Sequence, residues 1–261
     1  MNTHYQNLER AAFKAWPAQQ ELEDQGVVFR YAHGYTKRAN SANILQIESY
    51  GVNILTPVVK EYYLQTLSKI ESYFAEKQLP SIIRIPSFVD ADLFDQFLAT
   101  QSYQYQDKTL VLEMPLPNQV QQEQRLNSTI VCKKPDKWLD SFCALNNSEI
   151  AEHNAHLAIL QRIEDKTMFA VLVEDGVEVA CGLGVIHNQY LGIFDIVTGP
   201  QYRGKGYASK LLQGIYSWAK ENGASQSYLQ VVANNQAAVK LYTKLGYTQS
   251  YEYWYRIKQS V

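Results

Sequence analysis

A run of residues near position 200 has the makings of an anion site. It begins with Asp195-Ile196-Val197-Thr198 and continues through Gly199, Pro200, Gln201, Tyr202, Arg203, Gly204, Lys205, Gly206, Tyr207 and Ala208. An apolar stretch ends in a turn rich in glycine and cation, and the turn opens into a segment with helical apolar spacing. Gly204 and Gly206 let the backbone approach a ligand closely and point successive N–H groups outward. The first N–H groups of a helix have no partner within it, and the helix dipole places partial positive charge there. Arg203 and Lys205 add full charges. A phosphate or pyrophosphate suits such a place. The plain alternative is an ordinary turn, with glycines for geometry and cations for solubility, and two glycines alone do not decide between them.

Named nucleotide motifs fail here. Gly199-x-x-x-x-Gly204-Lys205 matches the start of a P-loop, but Gly206 stands where a Ser or Thr hydroxyl should hold Mg²⁺. A dinucleotide fingerprint would need glycine at Ser209. Other chemistry-bearing residues fit no pattern. Glu152-His153-x-x-His156 invites a metal, but zincins place their histidines at i and i+4 around the glutamate. Here the histidines sit at i and i+3, behind it, and the segment reads as a solvated helix face. Cys181 lies in an apolar run and reads as a small core residue. Cys132, Cys143 and Cys181 are widely spaced with no C-x-x-C, which excludes a disulfide framework and a zinc ribbon. No metal is expected.

The chain has 261 residues, 46% hydrophobic and 19% charged, with a net charge of −2. At roughly 150 residues per domain, it makes two domains or one large one. Near-neutral charge argues against a nucleic-acid partner, which would call for a basic excess. No apolar run approaches the ~18 residues that span a bilayer, and the first residues lack a secretory pattern. The expectation is a soluble, cytoplasmic protein with no membrane partner.

The elements that must position the site follow from turn signals and periodicity. Pro115 and Pro117 precede a polar, glutamine-rich stretch, so residues 118–128 read as a linker between 1–117 and 129–261, with an exposed helix as the alternative. In the second part, strands are expected at 129–133, 168–174, 177–186, 190–198, 228–232 and 247–257. Asp175-Gly176 marks a hairpin. Helices are expected at 137–145, 149–163, 206–222 (stopped by Gly223) and 235–245 (closed by Gly246). In the first part, Thr56-Pro57 opens a helix over 58–77 as N-cap and N1. A strand at 81–86, a helix at 91–100 and a strand at 108–113 follow. This order can be laid beside 227–232, 235–245 and 252–257, which suggests two copies of one α/β unit. Any two α/β domains share much of that order.

With these elements in place, a family resemblance can be named. Gln201-Tyr-Arg203-Gly204-Lys205-Gly206-Tyr207-Ala208 resembles the acyl-CoA pyrophosphate loop of the GNAT acetyltransferases, [RQ]-x-x-G-x-[GA]. Downstream, Asn235, Ala238, Leu241, Tyr242, Gly246 and Tyr247 match that family's N-x-x-A-x-x-L-Y-x-x-x-G-[FY]. The resemblance implies an α/β (α+β) fold of two GNAT-like domains, each a mixed, mostly antiparallel sheet flanked by helices. The first would be a degenerate copy, because its counterpart loop at Tyr50–Pro57 has one glycine and no cation. The implied activity is direct acetyl transfer from acetyl-CoA, as co-substrate, to an amine of a small molecule or protein. Backbone groups near Ile196, Val197 and Thr198 would hold the acyl and pantetheine amides, and Asn235 would bond the pantetheine or cap its helix. Tyr242 stands at the place of the family's general acid, and Asp195 at that of an acidic residue able to draw the amine proton through water. The alternative uses are a core tyrosine and a structural carboxylate. A segment from Trp16-Pro17 to Gly34–Ser41 resembles a tandem subgroup of bacterial members, and its polar tip (Lys37, Arg38, Asn40, Ser41) either covers the substrate side or turns a hairpin. A non-catalytic acyl-CoA sensor is the competing function. The acceptor and the oligomeric state stay open.

Overall fold

The computed structural model describes residues 3–48, 51–52, 54–117 and 128–259. Helix α1 (Thr3–Ala15) precedes strands β1 (Gln20–Asp24), β2 (Val27–Tyr31) and β3 (Ala42–Ile44), none of which the sequence analysis anticipates. Helix α2 (Pro57–Ala75), strand β4 (Ser81–Pro86), helix α3 (Asp92–Thr100) and strand β5 (Gln104–Pro115) complete the first part. Thr56 caps α2 through its hydroxyl, with Pro57 at the first position, as the local signal requires. Residues 118–127 of the expected linker lie outside the described residues, and Ser128 already opens β6 (Ser128–Cys132).

The second part continues with α4 (Pro135–Asn146), α5 (Asn154–Gln161), β7 (Lys166–Glu174), β8 (Val177–His187) and β9 (Tyr190–Thr198). It ends with α6 (Tyr207–Glu221), β10 (Gln226–Val232), α7 (Gln236–Lys244) and β11 (Thr248–Lys258). The expected helix over 149–163 is broken: a 3-10 turn at Ile150–His153 leads into α5. Asp175 and Gly176 both adopt positive φ at the β7–β8 hairpin, as a primed turn demands.

The fold is a mixed α/β sheet flanked by helices, with strand order β1-β2-β3-β4-β11-β5-β10-β9-β8-β7-β6 among the described residues. Alternate residues of β7 enter different cores. Val171 packs with α1, α4 and α5 residues such as Leu8, Trp138 and Ile159. Ala170 and Leu172 pack with Leu211 and Ile215 of α6. Gly184 of β8 lets α6 come close, since a Cβ there would sit 2.6 Å from Ile215 Cγ2.

The middle of the sheet is an exchange. β11, the last strand of the chain, pairs antiparallel with β4, while β5 pairs antiparallel with β10, and β5 and β11 pair with each other. Each β–α–β unit, β4-α3-β5 and β10-α7-β11, thus lays its final strand beside the first strand of the other. A buried ion pair ties α1 to this centre. Arg84 of β4 donates to Glu9 through two N–H groups, at 2.5 and 2.8 Å, and both side chains are excluded from solvent. The Tyr251 hydroxyl also donates to Glu9, and the Arg84 guanidinium lies 3.5 Å over the Tyr253 ring.

Candidate active site

The site begins at a defect in β9. β9 pairs parallel with β10 only from Tyr190↔Gln226 to Ile193↔Leu229. On its other side, the register with β8 steps from Leu183↔Phe194 to Cys181↔Val197, so β9 carries one more residue than β8 over that step. Asp195 sits in this bulge with φ +50, a left-handed conformation uncommon for a residue with a side chain. Beyond it the two strands part, and the gap is a cleft of about 250 Å³ lined by Asp195, Ile196, Gln230, Asn235, Tyr242 and Arg38 among others. The bulge therefore does two things at once: it ends the β9–β10 ladder and presents a carboxylate at the opening.

The structure brings Asp195, Ile196, Asn235 and Tyr242 together in that cleft. Val197 and Thr198 lie further along β9, paired with Cys181 and Ala180, and do not line it. Asn235 caps α7, its side chain accepting from the Ala238 N–H at 3.2 Å. Tyr242, on α7, is 8% exposed, and its hydroxyl has no hydrogen-bond partner among the described residues. Burial pushes its phenol up to about 12, so it stays protonated at neutral pH and can give a proton.

The glycine turn lies beyond the end of β9. Pro200, Gln201 and Tyr202 form a 3-10 turn, and the Arg203 Nε donates to the Thr198 carbonyl at 3.3 Å. Gly204 and Gly206 have φ of +75 and +82, and a Cβ built on either would meet nothing within 4 Å. Gly206 is the N-cap of α6 and offers no side chain to its orphan N–H groups. A second hollow of about 370 Å³ beside it is lined by Lys205, Gly206, Tyr207, Lys210 and Lys244. Gln201, Arg203 and Gly204 of the turn and Ala208 in the first turn of α6 do not line that hollow.

The reading of His153 and His156 as a solvated face is wrong. Both are buried, His156 at 1% exposure. They continue the stripe of Ile159 and Leu160 backwards at helical spacing, so they face the core. His156 Nε2 bonds Asp195 Oδ2 at 2.9 Å, and its Nδ1 bonds the Tyr35 hydroxyl at 2.9 Å. The same hydroxyl bonds His153 Nδ1 at 3.1 Å, and His153 Nε2 bonds Ser148 Oγ at 2.9 Å. With neutral rings and an ionised Asp195, one arrangement satisfies every atom. Ser148 O–H donates to His153, His153 Nδ1–H to the Tyr35 oxygen, Tyr35 O–H to His156, and His156 Nε2–H to Asp195. Burial first, then the Asp195 charge, pushes the Tyr35 phenol up and keeps it a donor. Among the described residues, no group of His, Cys, Asp and Glu is arranged to hold a metal ion. Cys181 is fully buried, and burial pushes its thiol up, away from nucleophilic use.

The first part of the chain also reaches this site. Trp16, 1% exposed, stacks on Phe194 with ring centroids 5.6 Å apart. The tip at 34–40 contributes a 3-10 turn, Lys37–Ala39, and borders a hollow of about 430 Å³ that shares Arg38, Gln230 and Val232 with the β9–β10 cleft. Asn40 and Ser41 are not at the surface. Asn40 is buried, and its Oδ1 accepts from the N–H groups of Ala32 at 2.7 Å and Gly34 at 2.8 Å.

The glycine turn that carries the GNAT resemblance opens directly into α6, and the comparisons support the family. The sequence profile of the family described as "Probable histone acetyltransferase Rv0428c C-terminal" matches residues 3–256, and the chain belongs to that family. It is 28% identical over 257 residues to "Uncharacterized N-acetyltransferase YobR" of Bacillus subtilis (strain 168), covering 97% of this chain and 98% of that protein. A solved GCN5-related N-acetyltransferase from Kribbella flavida superposes with a TM-score of 0.72 at 12% identity, covering 98% of this chain and 95% of the other. A tandem GNAT protein from the clavulanic acid biosynthesis pathway gives 0.63 at 9% identity, covering 96% and 87%. At such identities the two structures speak for the fold alone. These relatives and neighbours are N-acetyltransferases of the GNAT kind. No described helix is long and apolar enough to cross a membrane.

Proposed function

We propose that the chain is an acetyl-CoA-dependent N-acetyltransferase that moves an acetyl group directly to an amine. The observation that carries this is the buried Tyr242 hydroxyl, without a hydrogen-bond partner among the described residues, in the cleft opened by the Asp195 bulge, together with a glycine turn leading into a helix N-terminus with no side-chain cap. The Gly204 and Gly206 amides, with Arg203 and Lys205, would cradle the pyrophosphate, and the freed edge of β9 at Ile196 would hold the acyl end. Asp195, fixed through Oδ2 by His156, has Oδ1 without a partner among the described residues and would take the amine proton through water. The amine nitrogen bonds the carbonyl carbon, the carbon–sulfur bond breaks, and Tyr242 protonates the departing thiolate.

We read the first half as a degenerate copy of the second, with 1–117 and 129–261 as the two units. Its support is the exchange of β5 and β11, together with a contrast between helix starts. The Thr56 hydroxyl accepts from the Val59 N–H at 3.4 Å, so α2 spends on its own cap what α6 leaves open. Of the loop expected to be inert, Tyr50 and Asn53 lie outside the described residues.

The test is thiol release from acetyl-CoA with a panel of amines. Tyr242→Phe should bind acetyl-CoA almost as the parent does and lose about 10²–10⁴-fold in kcat. Tight acetyl-CoA binding with no release on any amine would favour the sensor instead. A loss under about threefold in the variant would return Tyr242 to the core.

A further inference from the structure

Arg38 is a cation with nothing to hold. It lines both the β9–β10 cleft and the neighbouring hollow, at the passage between them. Its guanidinium lies over the rings of Trp16 at 4.8 Å and Phe194 at 5.6 Å. Among the described residues it has neither an ion pair nor a side-chain hydrogen bond. The backbone beneath it is pinned: the Arg38 carbonyl accepts from buried Arg30 at 2.7 Å, and Arg30 donates further to the carbonyls of Phe13 and Trp16. A guanidinium held flat on two rings, on a fixed backbone, keeps its planar fork of N–H donors free. The adjacent cation is different, because Lys37 is already paired with Asp107.

We propose that the acceptor is a small amine carrying a carboxylate on the same molecule, with the carboxylate bidentate on Arg38 and the amine directed to Asp195. This rests on the acetyltransferase reading. Two charges of opposite sign line one cleft, Arg38 and Asp195, and Asp195 directly follows Phe194, one of the rings beneath Arg38. A zwitterionic amine complements that pair, whereas a simple amine would leave the guanidinium unanswered in a half-buried place. A single planar fork suits a carboxylate. The hollow beyond, walled by Tyr253 and Tyr255, takes the remainder of the molecule.

The experiment compares thiol release by the intact protein for matched pairs, each amino acid against its carboxamide, with β-alanine set against phosphoethanolamine. Carboxylates should exceed carboxamides by about 100-fold in kcat/KM, the worth of hydrogen bonds to a charged group. Arg38→Gln should raise KM for the carboxylate amine by a similar factor and erase the preference, with acetyl-CoA affinity by calorimetry unchanged. Arg38→Lys should keep part of it, as a point charge without the fork. Release with equal rates for acid and amide overturns the proposal and leaves the acetyltransferase reading intact. A preference for phosphoethanolamine over β-alanine would assign Arg38 to a phosphate instead. No release with any amine would remove the underlying reading, and this proposal with it.

Discussion

Tyr35→Phe should slow the reaction without touching the cofactor. The phenol is the junction of the Ser148–His153–Tyr35–His156–Asp195 chain, bonding both imidazoles within 3.1 Å. Deleting it leaves the His156 Nδ1 lone pair and the His153 Nδ1 proton without partners in a buried place, at about 1–3 kcal/mol for each unsatisfied group. The Tyr35 O–H selects the Nε2–H tautomer of His156 and holds its ring. Without it the ring is free to tilt in search of a partner for Nδ1, and Asp195 loses its fixed orientation. If one such loss falls on the transition state, kcat drops about 10–100-fold. Asp195→Asn, which removes the base itself, should cost about 10²–10⁴-fold. The assay is thiol release under saturating acetyl-CoA, with calorimetric affinity and thermal unfolding as controls. The double variant separates the two roles, since a residue acting through Asp195 has nothing left to act on once Asp195 is gone. A Tyr35→Phe protein with full kcat would refute the reasoning, as would a further tenfold loss on the Asp195→Asn background.

Gly206→Val should abolish acetyl-CoA binding while the protein stays folded, because no protein atom lies within 4 Å of the new Cβ and the left-handed backbone costs only about 1–2 kcal/mol. Unchanged affinity by calorimetry in a folded variant would sink the loop assignment. Glu9→Gln should destabilise by about 3–5 kcal/mol, since it leaves the Arg84 charge buried and uncompensated, and Glu9→Gln with Arg84→Met should recover most of it in urea unfolding. Equal losses in the single and double variants would contradict this. Alkali should unfold the chain through its tyrosines. Burial lifts Tyr63 and Tyr242 to about 12 and moves Tyr103, Tyr216 and Tyr247 up as well. The native state then holds those protons more tightly than the unfolded chain, whose phenols titrate near ~10. That stability is complete below about pH 10 and is lost as pH climbs toward 12. Tyrosinate absorbance should appear together with loss of circular dichroism, and a gradual titration with the fold intact would refute it.

The glycine turn, the strand before it and α6 were legible because each has a local cause: apolar run, positive-φ glycines, amphipathic period. The same holds for the Thr56-Pro57 cap and the Asp175-Gly176 hairpin. What escaped depends on tertiary placement. The motif spacing of His153 and His156 suits no metal, whereas their spacing from Ile159 and Leu160 matches a buried stripe and is the better signal. The Asp195 bulge has no local signature, since it exists only as a register step against β8. Glu9 and Arg84 stand 75 residues apart and meet in a place from which water is excluded, which neither local sequence hints at. The partner of β10 was equally hidden. A strand reads as a strand from its own residues, but its neighbour in the sheet is set by the whole topology.

That topology also explains why the first half cannot be only a spacer. β10 carries Gln230 and Val232 into both hollows, and the edge of β10 away from β9 is covered by β5 through pairs such as Leu229↔Leu112 and Gln230↔Val111. Without β5 that edge would be bare, and β11 would keep only β4 beside it. The parting of β9 from β10 needs a rigid β10, since two loosely held strands would close on each other and remove the cleft. β5 supplies that rigidity, while Trp16, Tyr35 and Arg38 supply a wall, a proton-bearing junction and a free cation. The first half is thereby tied twice to the cleft between β9 and β10, once through the backbone ladder and once through three side chains.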